Sequence, residues 1–215
     1  DELSRSWNVP VQQVQHHEAH AWAVLAENNL IDADDSVLCV VWDGTGYGSD
    51  RNSWGGEFFT YDKHELKRIA HLAYFPVWMG DRMAREPRLS ALSLAASLVH
   101  AEKILKPKFS EQEWNYYSKV ISKEPNHYTS SMGRLFDAVA SLLGICDRNT
   151  FEGQAALHLE TLASSTITST RYSVKWKKST LDVRSLVEAI LQDITRKKST
   201  AYIAYKFHTY LADVV

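Results

Sequence analysis

The sequence is poor in cysteine, carries almost no excess of either charge and has no long apolar run, and each shortage removes a class of protein. Cys39 and Cys146 are the two cysteines among 215 residues. Cys39 sits inside the apolar run from Val37 to Trp42, and Cys146 ends another apolar segment. Both read as buried thiols of a reducing compartment, not as a bridge or a metal pair. Lys plus Arg is 24 and Asp plus Glu is 26, a formal charge of −2, which argues against nucleic acid or an anionic membrane as the main partner. The apolar runs fall far short of the roughly 20 residues that span a bilayer. The start, Asp1 to Ser6, has no basic stretch leading into an apolar one, so no secretory signal is visible. It also lacks an initiating methionine, and the chain is expected to be an excised piece of something longer.

What is present is an ordinary globular composition, 45% apolar and 23% charged, enough for one large domain or two small lobes with a core that needs no staples. Residues 11–15 read as a short strand. The alanine spacing of 16–29 predicts a helix that the Asp32 to Asp35 cluster ends. Residues 37–42, apolar on both faces, read as a buried central strand, and a glycine-rich turn is expected at 43–48. Residues 56–61 and 67–74 alternate as a hairpin pair does. From Pro87 onward the pattern turns helical, with further helices at 111–122, 131–145, 154–163, 182–195 and 199–213, a loop at 164–170 and a strand at 171–176. Strands first and helices later predict a mixed α/β architecture with one helical lobe.

Five clusters carry chemistry. In His16-His17-Glu18-Ala19-His20, positions i and i+4 of a helix lie about 6 Å apart on one face, so His16 and His20 can share a divalent ion, while His17 is turned about 100° away. A pair of solvated histidines is the plainer alternative. Asp43-Gly44-Thr45-Gly46-Tyr47-Gly48 follows the apolar strand. Its glycines let backbone amides approach an anion, and Asp43 can bind a cation; an ordinary turn would look similar. Trp54-Gly55-Gly56-Glu57 adds a tight turn. Arg82, Arg85 and Arg88 can grip a phosphate or carboxylate, or be a solvated helix start. In Ser130-Ser131-Met132-Gly133-Arg134-Leu135-Phe136-Asp137, Ser130 or Ser131 can cap a helix and Asp137 can accept from ribose hydroxyls, and in Phe151-Glu152-Gly153-Gln154-Ala155-Ala156 a helix N-terminus can face a nucleotide, though either block can be purely structural.

The order of these blocks, with Gly80-Asp81, Ala84-Arg85-Glu86-Pro87 and Phe207-His208, resembles the HypF carbamoyltransferases, maturation factors of NiFe hydrogenases. The likeness is to their C-terminal domain, which is related to the tRNA threonylcarbamoyl transferase TsaD, and it covers residues 11 to 213. It implies an actin/Hsp70/sugar-kinase-like fold, here incomplete and with a helical lobe. Residues 1–80 would form an α/β lobe with the His-x-x-x-His and the phosphate loop, and residues 81–215 a mainly helical lobe with the nucleotide motifs, in one TsaD-like domain truncated at its C-terminus. It also implies that carbamoyl phosphate and ATP give carbamoyl adenylate, and that the carbamoyl group passes to the C-terminal cysteine of a HypE-type acceptor to become a cyanide ligand. By the resemblance, His16, His20 and Asp43 are the metal ligands and the catalytic residues. Gly44, Thr45, Gly46, Asp137, Glu152 and Gly153 would contact the nucleotide. The donor set suits Fe(II), with Zn(II) next. The thiolate nucleophile comes from the partner, so no catalytic Ser or Cys is needed here. Neither nucleic acid nor membrane is expected as a partner, and the location is expected to be cytoplasmic.

The family pattern also departs from this chain. Acylphosphatase-like, zinc-finger and YrdC-like domains precede the corresponding region in HypF proteins, and a Ser-Gly-Gly-Val…Asn motif and a late aspartate follow it. Rival expectations are a TsaD-like or antibiotic O-carbamoyltransferase, and a non-catalytic nucleotide-binding module that docks the acceptor.

Overall fold

The computed structural model describes residues 6–7 and 10–215; Asp1 to Arg5, on which most of the reading of the N-terminus rests, lie outside the described residues. The first long element is helix α1 (His16–Glu27). Residues 11–15 are not a strand. Gln15 instead turns its side chain onto the first free amides of α1, its Oε1 accepting from the backbone N–H of His17 at 2.7 Å and of Glu18 at 2.9 Å.

A meander follows: β1 (Val37–Tyr47), β2 (Ser53–Asp62) and β3 (Glu65–Leu72). The hairpin expected from the alternation is β2–β3, antiparallel from Asp62↔Glu65 to Glu57↔His71. Two expectations need correction. First, the glycine run is not a turn. β1 continues through it, with a shift of register between Trp42 and Gly46, and the chain reverses only at Gly48 to Asn52, where the Gly48 N–H donates to Asn52 O at 2.8 Å. Second, β1 is not central. Among the described residues it pairs with β2 alone, on the side away from β3, and Leu38 is 47% exposed. Short segments complete the sheet. β4 (Phe75–Pro76) lies beside β5 (Tyr128–Thr129), β5 pairs parallel to the start of β2, and β6 (Trp176–Lys177) and β7 (Thr180–Leu181) extend it beyond β3. Residues 171–175 carry no strand.

The remaining chain is helical: α2 (Arg82–Arg85), α3 (Pro87–Ala95), α4 (Ala101–Leu105), α5 (Glu111–Ile121), α6 (Met132–Leu142), α7 (Gln154–Ala163), α8 (Val183–Thr195) and α9 (Thr200–Val214). Local chemistry sets their starts. Pro87 opens α3, Ser110 and Glu113 form a reciprocal capping box on α5, and Asp182 and Ser199 cap α8 and α9. α3 packs on α6, and α9 on α7. One continuous apolar cluster runs from Phe58 and Leu72 in the sheet through Leu92, Leu135 and Leu159 to Phe207 and Tyr210. α6 also packs on β1 and α1 on β1, and these two helix–strand contacts position the site. Among the described residues no helix is long and apolar enough to cross a membrane.

Candidate functional site

Helical periodicity puts His16 and His20 on one face of α1, and their Nε2 atoms are 3.2 Å apart. β1 brings Asp43 to the same point. Its Oδ2 lies 3.0 Å from His16 Nε2 and 3.9 Å from His20 Nε2. The three ligand atoms all fall within 4.8 Å of one another. Asp43 Oδ1 accepts the Gly44 N–H at 2.5 Å, which leaves Oδ2 as the oxygen turned to the histidines. Burial pushes the Asp43 carboxyl up, but the Gly44 amide and His16 outweigh it, and the net effect holds it below the usual carboxylate value. Two imidazoles and an ionised carboxylate, half open to solvent, form a donor set that fits a divalent transition metal. His17 is fully buried, with its Nε2 3.9 Å from the same Asp43 Oδ2. Burial pushes its pKa down, against the raising influence of Glu57 and Asp43.

The glycines around this point are places where backbones meet. A side chain on Gly46 would fall 2.4 Å from His16 Cδ2 and 2.5 Å from His17 Cε1. The restriction at Gly46 is therefore the histidine pair, not a positive φ. A Cβ on Gly55 would lie 2.5 Å from Asp43 O, one on Gly56 2.5 Å from Ser130 O, and one on Gly133 2.9 Å from Gly44 Cα. These three glycines let β2 and the start of α6 close on Asp43 and Gly44. Glu57 locks the arrangement from inside the core. Its Oε1 accepts from the amides of Gly55 and Gly56 at 3.1 and 3.2 Å and from Ser130 Oγ at 2.5 Å, and its Oε2 from Arg68 Nε at 2.5 Å. The Arg68 guanidinium lies 3.8 Å over the Trp54 ring. Ser131 Oγ accepts the Arg134 amide, capping α6, and donates to Gly44 O at 2.6 Å. The Trp-Gly-Gly-Glu and Ser-Met-Gly-Arg blocks thus hold the Asp43–Gly44 corner.

Beside that corner is a cavity of about 150 Å³ lined by Gly44, Thr45, Asp81, His127, Thr129 and Arg134 among others. It admits a small polar group and is well below the roughly 300 Å³ at which ligand pockets begin. His127 carries no signal in the sequence. It arrives through the β5 pairing, with its Nε2 2.8 Å from Ser53 Oγ across 74 positions.

Asp137 lies in α6 and is 3% exposed. Its carboxylate accepts from Arg134 Nε at 2.6 Å and Asn149 Nδ2 at 3.2 Å. Burial raises its pKa, with Arg134 and Asn149 opposing. Asn149 Nδ2 also donates to Ala84 O, and Asn149 Oδ1 accepts the Ala155 amide, which ties α2, α6 and α7 together. Gly153 precedes α7 at φ +77°, a left-handed conformation that favours glycine, and Glu152 beside it is exposed. Among the described residues no hydrogen bond joins Glu152 or Gly153 to the His16–His20–Asp43 group; Asn149 links their helix to Asp137 and to Ala84 O. The three arginines do not form one grip. Arg88 is buried, bonded to Glu86 and Glu113 at 2.6 Å each, and is structural. Arg82 and Arg85 line an open surface cavity of about 720 Å³ with Asp81, Glu86, Arg148 and Asn149.

The family model described as "Carbamoyltransferase, Kae1-like Domain, second subdomain" matches residues 39–215, a span that takes in Asp43 but not His16 and His20. The chain is 35% identical to the carbamoyltransferase HypF of Synechocystis sp., over 96% of this chain and 29% of that protein. It is 32% identical to the probable carbamoyltransferase HypF of Methanocaldococcus jannaschii, over 99% of this chain and 28% of that protein. A crystal structure of full-length HypF in a phosphate- and nucleotide-bound form superimposes with a TM-score of 0.86 at 32% identity, covering 99% of this chain and 28% of that one. The HypF of T. kodakarensis gives 0.86 at 31%, covering 98% and 29%. The chain belongs to the HypF carbamoyltransferase family. It spans less than a third of the length of these relatives.

Proposed function

We propose that this chain forms part of a cytoplasmic carbamoyltransferase of NiFe hydrogenase maturation, built on an actin/Hsp70/sugar-kinase-like fold. Carbamoyl phosphate and ATP give carbamoyl adenylate, and the carbamoyl group passes to the C-terminal cysteine of a HypE-type acceptor. The observation that carries this reading is the meeting of His16, His20 and Asp43 at the corner where β1 shifts register. These three residues would hold Fe(II) or Zn(II), and the ion when bound supplies Lewis-acid polarisation of a carbamoyl or phosphate oxygen.

The chain's own residues orient the transfer. The Gly44 N–H is committed to Asp43, so in the glycine run the exposed Thr45 supplies donors toward a phosphate. Arg134 and His127 at the small cavity stabilise charge there, held in place before reaction. Asp137, Glu152 and Gly153 serve the nucleoside side. In the transfer, the acceptor's thiolate sulfur bonds to the carbamoyl carbon. The bond from that carbon to the phosphate oxygen breaks, and AMP leaves with the electron pair.

Replacing His16 and His20 together by Ala is expected to empty the site and stop carbamoylation of the acceptor's tail. Metal content by elemental mass spectrometry and acceptor mass by intact-protein mass spectrometry check both effects. Wild-type metal content in the double variant would overturn the site. Carbamoyl transfer to a small alcohol without any acceptor protein would favour O-carbamoylation instead.

A further inference from the structure

We propose that His17 is a positioning residue for the Asp43 carboxylate, with its ring proton held on Nε2 and that N–H directed toward Asp43 Oδ2. The proposal rests on the metal reading of His16, His20 and Asp43.

The tautomer follows from hydrogen-bond polarity. Gln15 Oε1 accepts from two backbone amides, His17 N and Glu18 N, which can only donate. Gln15 Nε2 donates to Tyr47 O at 2.9 Å, which can only accept. Both ends of this amide are therefore assigned without ambiguity. The same NH₂ lies 3.1 Å from His17 Nδ1 and has no lone pair to offer, so Nδ1 is the acceptor. A proton on Nδ1 would set two donors face to face. The ring proton is thus on Nε2.

That Nε2 is buried and has no hydrogen-bond partner among the described residues. An orphan buried donor is costly, and here Asp43 Oδ2 lies 3.9 Å from it, with Glu57 a second carboxylate acting on the ring. Asp43 Oδ1 is tied to Gly44, so Oδ2 is the oxygen free to ligate an ion, and the same oxygen looks at His17. The ring cannot retreat. Gly46 closes one side, where a Cβ would touch His17 Cε1, and Trp54 packs across another, with ring centroids 6.0 Å apart. A neutral N–H beside a ligating carboxylate limits its rotation, as outer partners of metal ligands do.

Two measurements test this. In the metal-free protein, two-bond ¹H–¹⁵N correlation should show His17 as the Nε2–H tautomer; an Nδ1–H tautomer or an imidazolium at neutral pH overturns the proposal. In Co(II) titrations read by visible absorbance, His17→Leu should weaken binding by about 10- to 100-fold and alter the ligand-field spectrum. His17→Gln, whose amide N can occupy the Nε2 position, should restore most of the affinity. Unchanged Co(II) affinity in His17→Leu, or equal losses in Leu and Gln variants of equal thermal midpoint, overturns it. If His17→Leu does not fold, the tautomer and the Gln variant still decide. Wild-type protein that takes up no Co(II) overturns the metal reading itself, and this proposal with it.

Discussion

Two glycines of one run, Gly44 and Gly46, differ entirely in what a side chain would meet. At Gly44 a Cβ has nothing within 4 Å, whereas at Gly46 it would strike the imidazoles of His16 and His17. Gly46→Val is therefore expected to displace His16 and reduce Co(II) affinity by at least about tenfold, in line with what misplaced ligand support costs. Gly44→Ala should leave it within about threefold, since its N–H to Asp43 survives; Co(II) titration of both variants makes the comparison. The His-x-x-x-His pair is visible in the sequence because a helical turn alone brings positions 16 and 20 together. The burial of His17 is not, because β1 and Trp54 cover it. The same holds for Arg88, which the sequence groups with Arg82 and Arg85 and the fold buries against Glu86 and Glu113.

Among the elements, β2 does more than pair. Glu57 lies in its middle, fully buried, and holds Gly55, Gly56, Ser130 and Arg68. Removing one partner of a buried ion pair leaves the other charge uncompensated, so Glu57→Ala should cost about 3–5 kcal/mol, read as a shift of the urea midpoint. The β2–β3 hairpin was legible from period-2 alternation. The position of β1 was not. An apolar run on both faces fits a central strand, but here α1 and α6 pack on it while one edge has no strand partner among the described residues. Burial by helices and burial by neighbouring strands leave the same composition. Residues 11–15 misled for a related reason: Val11-Gln12-Gln13-Val14-Gln15 resembles a short strand, yet Gln15 is taken by the amides of α1, a local hydrogen-bond competition that hydrophobic patterning does not register.

At the scale of the whole molecule, ion pairs join segments far apart in the chain. Arg88 binds Glu86 and Glu113 and donates to Lys108 O, pinning α3 to the start of α5. The Arg88 guanidinium, with the Ser110 amide, holds Glu113 down at about 2 against an ordinary value of 4.5, and Glu86 is lowered as well, Arg88 and Arg82 outweighing its burial. The folded state thus keeps these carboxylates ionised where the unfolded chain would bind protons. Their contribution is complete above about pH 4.5 and is lost as pH falls toward about 2. Stability of the wild type should decline through that window, and Glu113→Gln should flatten the slope without abolishing it, as followed by urea midpoints at several pH values.

The sequence by itself determined what depends on neighbours along the chain: which stretches are helical, where the capping residues stop and start them, the β2–β3 hairpin, and the two imidazoles one turn apart. The order of its motifs also carried the family. Tertiary structure alone decided that Asp43 meets those imidazoles, that Gly46 makes room for them, that His127 joins the corner through a two-residue strand, and that Arg88 is structural. Those relations join residues tens of positions apart, and they are set by how helices and strands pack against one another, a choice that no local periodicity encodes.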